Sequence, residues 1–202
     1  MRNRGVALAG TAVLVTALAA APAAAAGGST GLGEAAIEGS GEHCAVGAEP
    51  IESTAGLTRA ALPEPTVDCF DSFAESIEFI TGGELSAESP AELESTLAEP
   101  GTGAVTMASV LLGIEYKGSL YTGSSLALYG SSGSGCGGGS TYGFSSMPSG
   151  WSNVISSARV YANCRSTHYD YTSYRGSTIT CYGACQYMGT MSNKTSSILF
   201  RP

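Results

Sequence analysis

Hydrophobic and polar positions change their period along the chain, and each change predicts a different kind of element. Val6 to Ala21 is almost wholly apolar. Further on, Phe70, Phe73, Ile77 and Ile80 recur at i, i+3, i+7 and i+10, one face of a helix, with Asp68 as its N-cap and Gly82-Gly83 as its stop. A second start is written as Ser89-Pro90-Ala91-Glu92, with Ser as N-cap, Pro at N1 and Glu92 closing a capping box, and Pro100-Gly101 ends that helix. After residue 105 the helical period disappears. Tyr, Thr, Val and Ser fall in short runs broken by Gly, which is the pattern of short strands and turns. Residues 130–143 form a Gly/Ser loop; without the Lys-Ser/Thr ending of a phosphate loop, it reads as an insertion with no nucleotide chemistry.

The apolar leader follows Arg2 and Arg4 and ends at Ala24-Ala25-Ala26, the small-x-small pattern of a signal-peptidase site. Residues 1–26 are therefore expected to be a signal peptide, and the mature chain to be secreted, extracellular and free of the membrane. Export changes the reading of the cysteines. Six of them, with no CxxC and no Cys/His clustering, point to disulfides rather than zinc. Cys44 and Cys69 stand alone in the first half and are natural partners. Cys136, Cys164, Cys181 and Cys185 admit three pairings, of which Cys136 with Cys164 and Cys181 with Cys185 is preferred.

Charge sharpens the division. The net charge of −8 is an average over unlike parts: residues 27–105 carry 15 acids and Arg59, whereas residues 106–202 carry two acids, Glu115 and Asp170, and six bases. All ten tyrosines and the single Trp151 lie in the second part. The expected organisation is an acidic, partly helical segment over 27–105, disordered over 27–41, followed by a β-rich domain over 106–202. The acidic segment has too little apolar content for a core of its own. It is expected either to fold back over the domain as a pro-region or mask, or to serve as a solvated spacer. The acidic balance sets aside nucleic acid as a partner.

The second part repeats itself. Tyr116, Tyr121 and Gly123 recur 53 residues later as Tyr169, Tyr174 and Gly176, and Ser152-Asn153-Val154-Ile155-Ser156-Ser157 recurs 40 residues later as Ser192-Asn193-Lys194-Thr195-Ser196-Ser197. The difference between the offsets matches the Gly/Ser loop, present in the first copy only. Two aromatics five apart, followed by x-Gly, suit a folded β-hairpin in which one ring packs over the turn and Gly takes a conformation other residues reach only with strain. The later Ser-Ser pair enters a strand, where its hydroxyls can tie back to that hairpin. Two such units would pack as paired Greek keys.

On these residues, the stretch from about 109 to 202 resembles the βγ-crystallin superfamily, whose Greek-key signature it matches twice. The resemblance implies an all-β double Greek-key sandwich preceded by the partly α-helical acidic segment. It also implies calcium at the paired motifs, through Ser152, Asn153, Ser156, Ser192, Asn193 and Ser196. Ser stands where the family has an acid or amide, and Ca²⁺ takes 6–8 oxygen ligands with negative charge among them, so only weak binding is expected. Secreted, bridged members of the superfamily include metallopeptidase inhibitors and killer-toxin-like proteins. The expected partners are accordingly a secreted protease or a cell-wall component, met by a monomer.

No catalytic residue is expected. His43 sits beside Cys44 in the acidic segment, His168 reads as a solvent-facing hairpin tip next to tyrosines, and no nucleophile-elbow pattern accompanies either. The sequence thus predicts a secreted, non-enzymatic binding or structural protein.

Overall fold

The computed structural model describes residues 42–51, 66–99, 109–131 and 134–202. The signal peptide, the stretch 27–41, the helix stop at Pro100-Gly101 and the charge boundary at 105/106 lie outside the described residues. Ten strands appear in chain order: β1 (His43–Ala48), β2 (Val67–Phe70), β3 (Val110–Tyr116), β4 (Ser125–Gly130), β5 (Tyr142–Phe144), β6 (Ser157–Val160), β7 (Arg165–Tyr171), β8 (Arg175–Tyr182), β9 (Ala184–Cys185) and β10 (Ser197–Arg201). Two helices, α1 (Phe73–Thr81) and α2 (Pro90–Ala98), fall between β2 and β3.

The strands form two sheets, ordered β2-β1-β4-β3-β6-β9 and β5-β10-β7-β8. In the first repeat β3 and β4 pair as a hairpin, β5 crosses to the other sheet, and β6 returns to pair with β3. The second repeat does the same from the opposite side: β7 and β8 pair, β9 crosses to β6, and β10 returns to β7. The matched halves β4-β3-β6-β9 and β8-β7-β10-β5 make an all-β double Greek-key sandwich. Its interior is filled by inward residues of both sheets, among them Leu112, Leu126, Leu128, Ile198 and Phe200, together with Trp151 and Ile155 from the connections.

The acidic segment adds two strands to this plan. β1 runs parallel to β4, with His43 opposite Ser125 and Ala48 opposite Gly130, and antiparallel to β2. Cys44 and Val46 point into the sandwich while Ala45 joins the opposite face, so the strand alternates as a buried strand must. Sequence periodicity predicted the helices of this segment but not its strands.

On the outer face of the six-stranded sheet lies a second core. Phe73, Ile77 and Ile80 of α1, with Leu85 and Leu93, cover Ala45, Leu111, Ile114, Tyr116 and Ala127. The helical face read from the sequence is thus the buried one, each large side chain contributing about 1.5–3 kcal/mol by leaving water. The cap, however, is Ser72 rather than Asp68: Ser72 Oγ accepts from Glu75 N–H, Glu75 reaches back to Ser72 N–H, and Asp68 and Phe70 lie in β2. Ser89 caps α2 as expected, but the Glu92 carboxylate accepts from Glu88 N–H rather than from Ser89. All three disulfides form, Cys44–Cys69 across the β1–β2 pair, Cys136–Cys164, and Cys181–Cys185. No described helix is long and apolar enough to cross a membrane.

Candidate functional site

The two signature hairpins have the same construction. Tyr116 and Tyr121 meet edge to face with ring centroids 5.8 Å apart, and Tyr169 and Tyr174 do so at 5.9 Å. Closing the hairpin on itself forces Leu120, Tyr121, Ser173 and Tyr174 into left-handed backbone, a strained conformation for residues with a side chain, and Gly123 and Gly176 follow at φ 77° and 86°. The last serine of each downstream motif holds that shape. Ser157 Oγ accepts from Tyr121 N–H and donates to Gly118 C=O, while Ser197 Oγ accepts from Tyr174 N–H and donates to Tyr171 C=O.

The six residues expected to hold calcium come together, across the two repeats, in one reciprocal clasp. Asn153 N–H donates to Thr195 C=O and Asn193 N–H to Ile155 C=O, both at 2.8 Å. Ser196 Oγ donates to Asn153 Oδ1 at 3.1 Å, and Ser156 Oγ donates to Asn193 Oδ1 at 3.0 Å. Ser152 Oγ and Ser192 Oγ complete the chain by donating to Ser196 Oγ and Ser156 Oγ. Both asparagines sit in left-handed backbone, φ 60° and 57°, which this residue tolerates better than most.

As a metal site this arrangement is poor. Its oxygens are all neutral, each asparagine carbonyl is already occupied by a serine of the other repeat, and Lys194 lies within the second motif. Among the described residues no group of three or more His, Cys, Asp or Glu side chains could hold a metal ion.

The histidines lie elsewhere. His168 is a correction: it is a fully buried β7 residue paired with Ile198 and Ile179, not a solvent-facing hairpin tip. The strand continues past it to Tyr171, so the turn comes later than the tyrosine cluster suggested. Its Nε2 lies 3.0 Å from Ser166 Oγ and 3.8 Å from Oε1 of Glu115, itself fully buried in β3 with no hydrogen-bond partner on either oxygen. Although the separation is within ion-pair range, burial raises the Glu115 carboxyl well above its ordinary value and lowers His168 to about 3. Near neutral pH His168 is therefore uncharged, and burial disfavours the charged form of Glu115 as well. Closed off from solvent, they have no access to a substrate.

Glu115 escaped the sequence reading. The only signal was one acid inside the otherwise apolar or small run Val110 to Tyr116. His43, half-buried, hydrogen-bonds through Nδ1 to Ser125 Oγ at 2.8 Å and meets the Phe73 ring edge to face.

No protein-family model matches the chain, and no curated protein matches it. Among solved structures the chain is similar to the N-terminal domain of protein S, at 16% identity over 44% of this chain and 93% of that one, with a TM-score of 0.34. It is also similar to a βγ-crystallin domain from Clostridium beijerinckii, at 13% identity over 45% and 97% of the respective chains and a TM-score of 0.34. A βγ-crystallin domain from Flavobacterium johnsoniae gives 20% identity over 44% and 92%, with a TM-score of 0.33. The likeness spans nearly all of each small domain and less than half of this chain; the double Greek key itself rests on the strand order described above.

Proposed function

We propose that the protein is an exported, non-catalytic binding or structural domain whose paired Ser-Asn-x-x-Ser-Ser segments lock the two Greek keys together without needing a metal. The observation that carries this reading is the reciprocal clasp, in which the hydroxyls and amide oxygens expected to serve as calcium ligands satisfy one another. The three disulfides and the basic, apolar leader support export. Calcium, if it enters the clasp, must displace these bonds and gains no carboxylate in return, which limits it to weak binding.

Thermal unfolding of the full chain in 2 mM calcium and in EDTA tests the proposal. The expected result is coincident curves. A ligand present at a hundred times its Kd stabilises by about 2.7 kcal/mol, so a rise of several degrees in calcium would overturn the metal-independent reading.

Inhibition of a secreted peptidase is favoured by one feature. The Cys181–Cys185 bridge closes a five-residue loop at the edge of the six-stranded sheet that presents Tyr182 to solvent with Gly183 in left-handed backbone, a braced, exposed segment of the kind a protease cleft accepts. Stoichiometric inhibition of a secreted metallopeptidase, abolished by Tyr182→Ala, would support this reading; rapid cleavage at the loop would remove it.

A further inference from the structure

The two outer faces of the sandwich differ in what the repeats put on them. In the first repeat Ile114 and Ala127 lie beneath the acidic layer. Fifty-three residues on, Thr167 and Thr180 hold the equivalent places on the outer face of the four-stranded sheet, and their hydroxyls hydrogen-bond to each other at 3.1 Å. In the next row of this face, Arg201 of β10 stands directly opposite Arg165 of β7, and Arg165 directly opposite Tyr182 of β8. The adjacent residues Phe200, Ser166 and Cys181 are fully buried, so strand alternation turns all three outward.

Opposed side chains on neighbouring strands are about 5 Å apart at Cβ, close enough for like charges to repel. Arg165 and Arg201 are half-buried, yet neither makes a hydrogen bond or ion pair with the described residues. The two acids of the repeats are committed elsewhere: Glu115 is enclosed in the sandwich, and Asp170 accepts from Ser177 N–H at 2.7 Å. Two adjacent guanidinium groups without a carboxylate of their own are matched by one oxyanion, which takes N–H donors from each. Tyr182 adds a second requirement. It is 76% exposed, and the Cys181–Cys185 bridge braces the backbone that carries it, so the ring stands as an apolar platform with a polar tip at the end of the arginine row. The threonine hydroxyls of the neighbouring row favour a ligand that itself carries hydroxyls.

We propose that this row binds a sugar bearing an oxyanion, with Arg165 and Arg201 holding its carboxylate or phosphate and the ring of Tyr182 stacking on the sugar face. The inference rests on the reading of the chain as a binding domain and gives that domain a ligand class. A nucleic acid offers similar groups, but the net charge of −8 opposes so densely charged a polymer. Full-length protein is titrated by NMR with glucuronate, glucose 6-phosphate, glucose, acetate, inorganic phosphate and oligothymidylate. Saturable shifts at Arg165, Arg201 and Tyr182 are expected with glucuronate or glucose 6-phosphate at millimolar Kd, the tighter of the two naming the oxyanion. Glucose should give none, and acetate and inorganic phosphate should bind at least fivefold more weakly than their sugar counterparts. Arg201→Gln should weaken sugar binding at least tenfold without lowering the melting temperature, because it removes a like-charge opposition. Tyr182→Ala should bring the anionic sugar down to the affinity of the bare oxyanion and leave the latter unchanged. No saturation by either anionic sugar, equal binding of glucose, ring-free anions as tight as the sugars, tighter binding of oligothymidylate, or unchanged affinity in Arg201→Gln would each overturn the proposal. Should Arg201→Gln unfold, Arg165→Gln must show the same loss. The melting curves in calcium and EDTA are read independently, so a chain that fails here but melts identically in both loses the ligand class and keeps the clasp.

Discussion

Single residues show where the two repeats have diverged. Thr195 occupies the position that Ile155 holds in the first motif, and both are fully buried, but the Thr195 hydroxyl has no partner. Leaving a buried hydroxyl unsatisfied costs about 1–3 kcal/mol. Thr195→Val, nearly identical in shape, should therefore stabilise the protein by about 1 kcal/mol in urea unfolding; a loss of stability would show that a water or an unseen partner satisfies the hydroxyl. Glu115 and His168 are likewise equivalent, each immediately preceding the first tyrosine of its signature, and the pseudo-symmetry brings them face to face. Their titrations oppose one another. The folded carboxyl is raised above its free value near 4.3, so its contribution is complete below that pH and is lost as pH rises toward the folded value. The imidazole, held at about 3 against about 6.5 when free, contributes fully above about 6.5 and loses that contribution as pH falls through 3. For as long as Glu115 stays protonated in the fold, the two slopes cancel between about 4.3 and 6.5 into a plateau. Above it, stability should fall by up to ~1.4 kcal/mol per pH unit until Glu115 ionises in the fold. Glu115→Gln should abolish the alkaline decline and spare the acid one, read from urea midpoints at pH 3.5, 5, 7 and 8.5; an unchanged alkaline slope assigns the decline to other groups.

Elements differ in how legibly the sequence announces them. The signature hairpins were readable because their backbone needs are severe: left-handed residues, a glycine, and a serine able to bond both ends of the turn impose the same residue types twice. The helix face of α1 was readable from its period, while its cap was misplaced because both Asp68 and Ser72 precede the run and only Ser72 is followed at N3 by Glu75. β1 was not legible. The stretch His43–Ala48 is short and small-sided, and it is buried on both faces, so no alternation of polar and apolar residues marks it. His168 was misread, and Glu115 passed over, for the opposite reason, since a charged or titratable residue is ordinarily taken to face water. The strand pairing of β1 carries a prediction at this scale. A chain truncated to residues 106–202 keeps both Greek keys but bares the β4 edge and the apolar outer face formed by Leu111, Ile114 and Ala127. Unpaired edges and contiguous apolar surfaces drive association. Sedimentation velocity should find this fragment self-associated at concentrations where the full chain is monomeric; a monodisperse, folded fragment would show that the acidic layer contributes little.

Across the described residues as a whole, the charge asymmetry follows the layers of the fold. Most of the described acidic residues lie in a covering layer whose apolar side seals the six-stranded sheet, and an ion pair between Glu94 of α2 and Arg159 of β6 ties the layers together. Isolated exposed pairs contribute little, so the apolar seam holds the layer down and the charges keep its outer surface wet. The parallel ladder between β1 and β4 has a kinetic consequence. His43 and Ser125 are 82 residues apart, and a parallel pair cannot be nucleated by a hairpin turn. On a growing chain β1 therefore waits for the strand it will join. At about 5–20 residues per second that interval lasts several seconds. Cys44 and Cys69 are the first two of the six cysteines, so in an exported chain that enters an oxidising compartment N-terminus first, the one intramolecular bridge open before residue 136 emerges is the native one. Placing the added strands ahead of the repeats thus lets the order of emergence, rather than rearrangement, select the first disulfide.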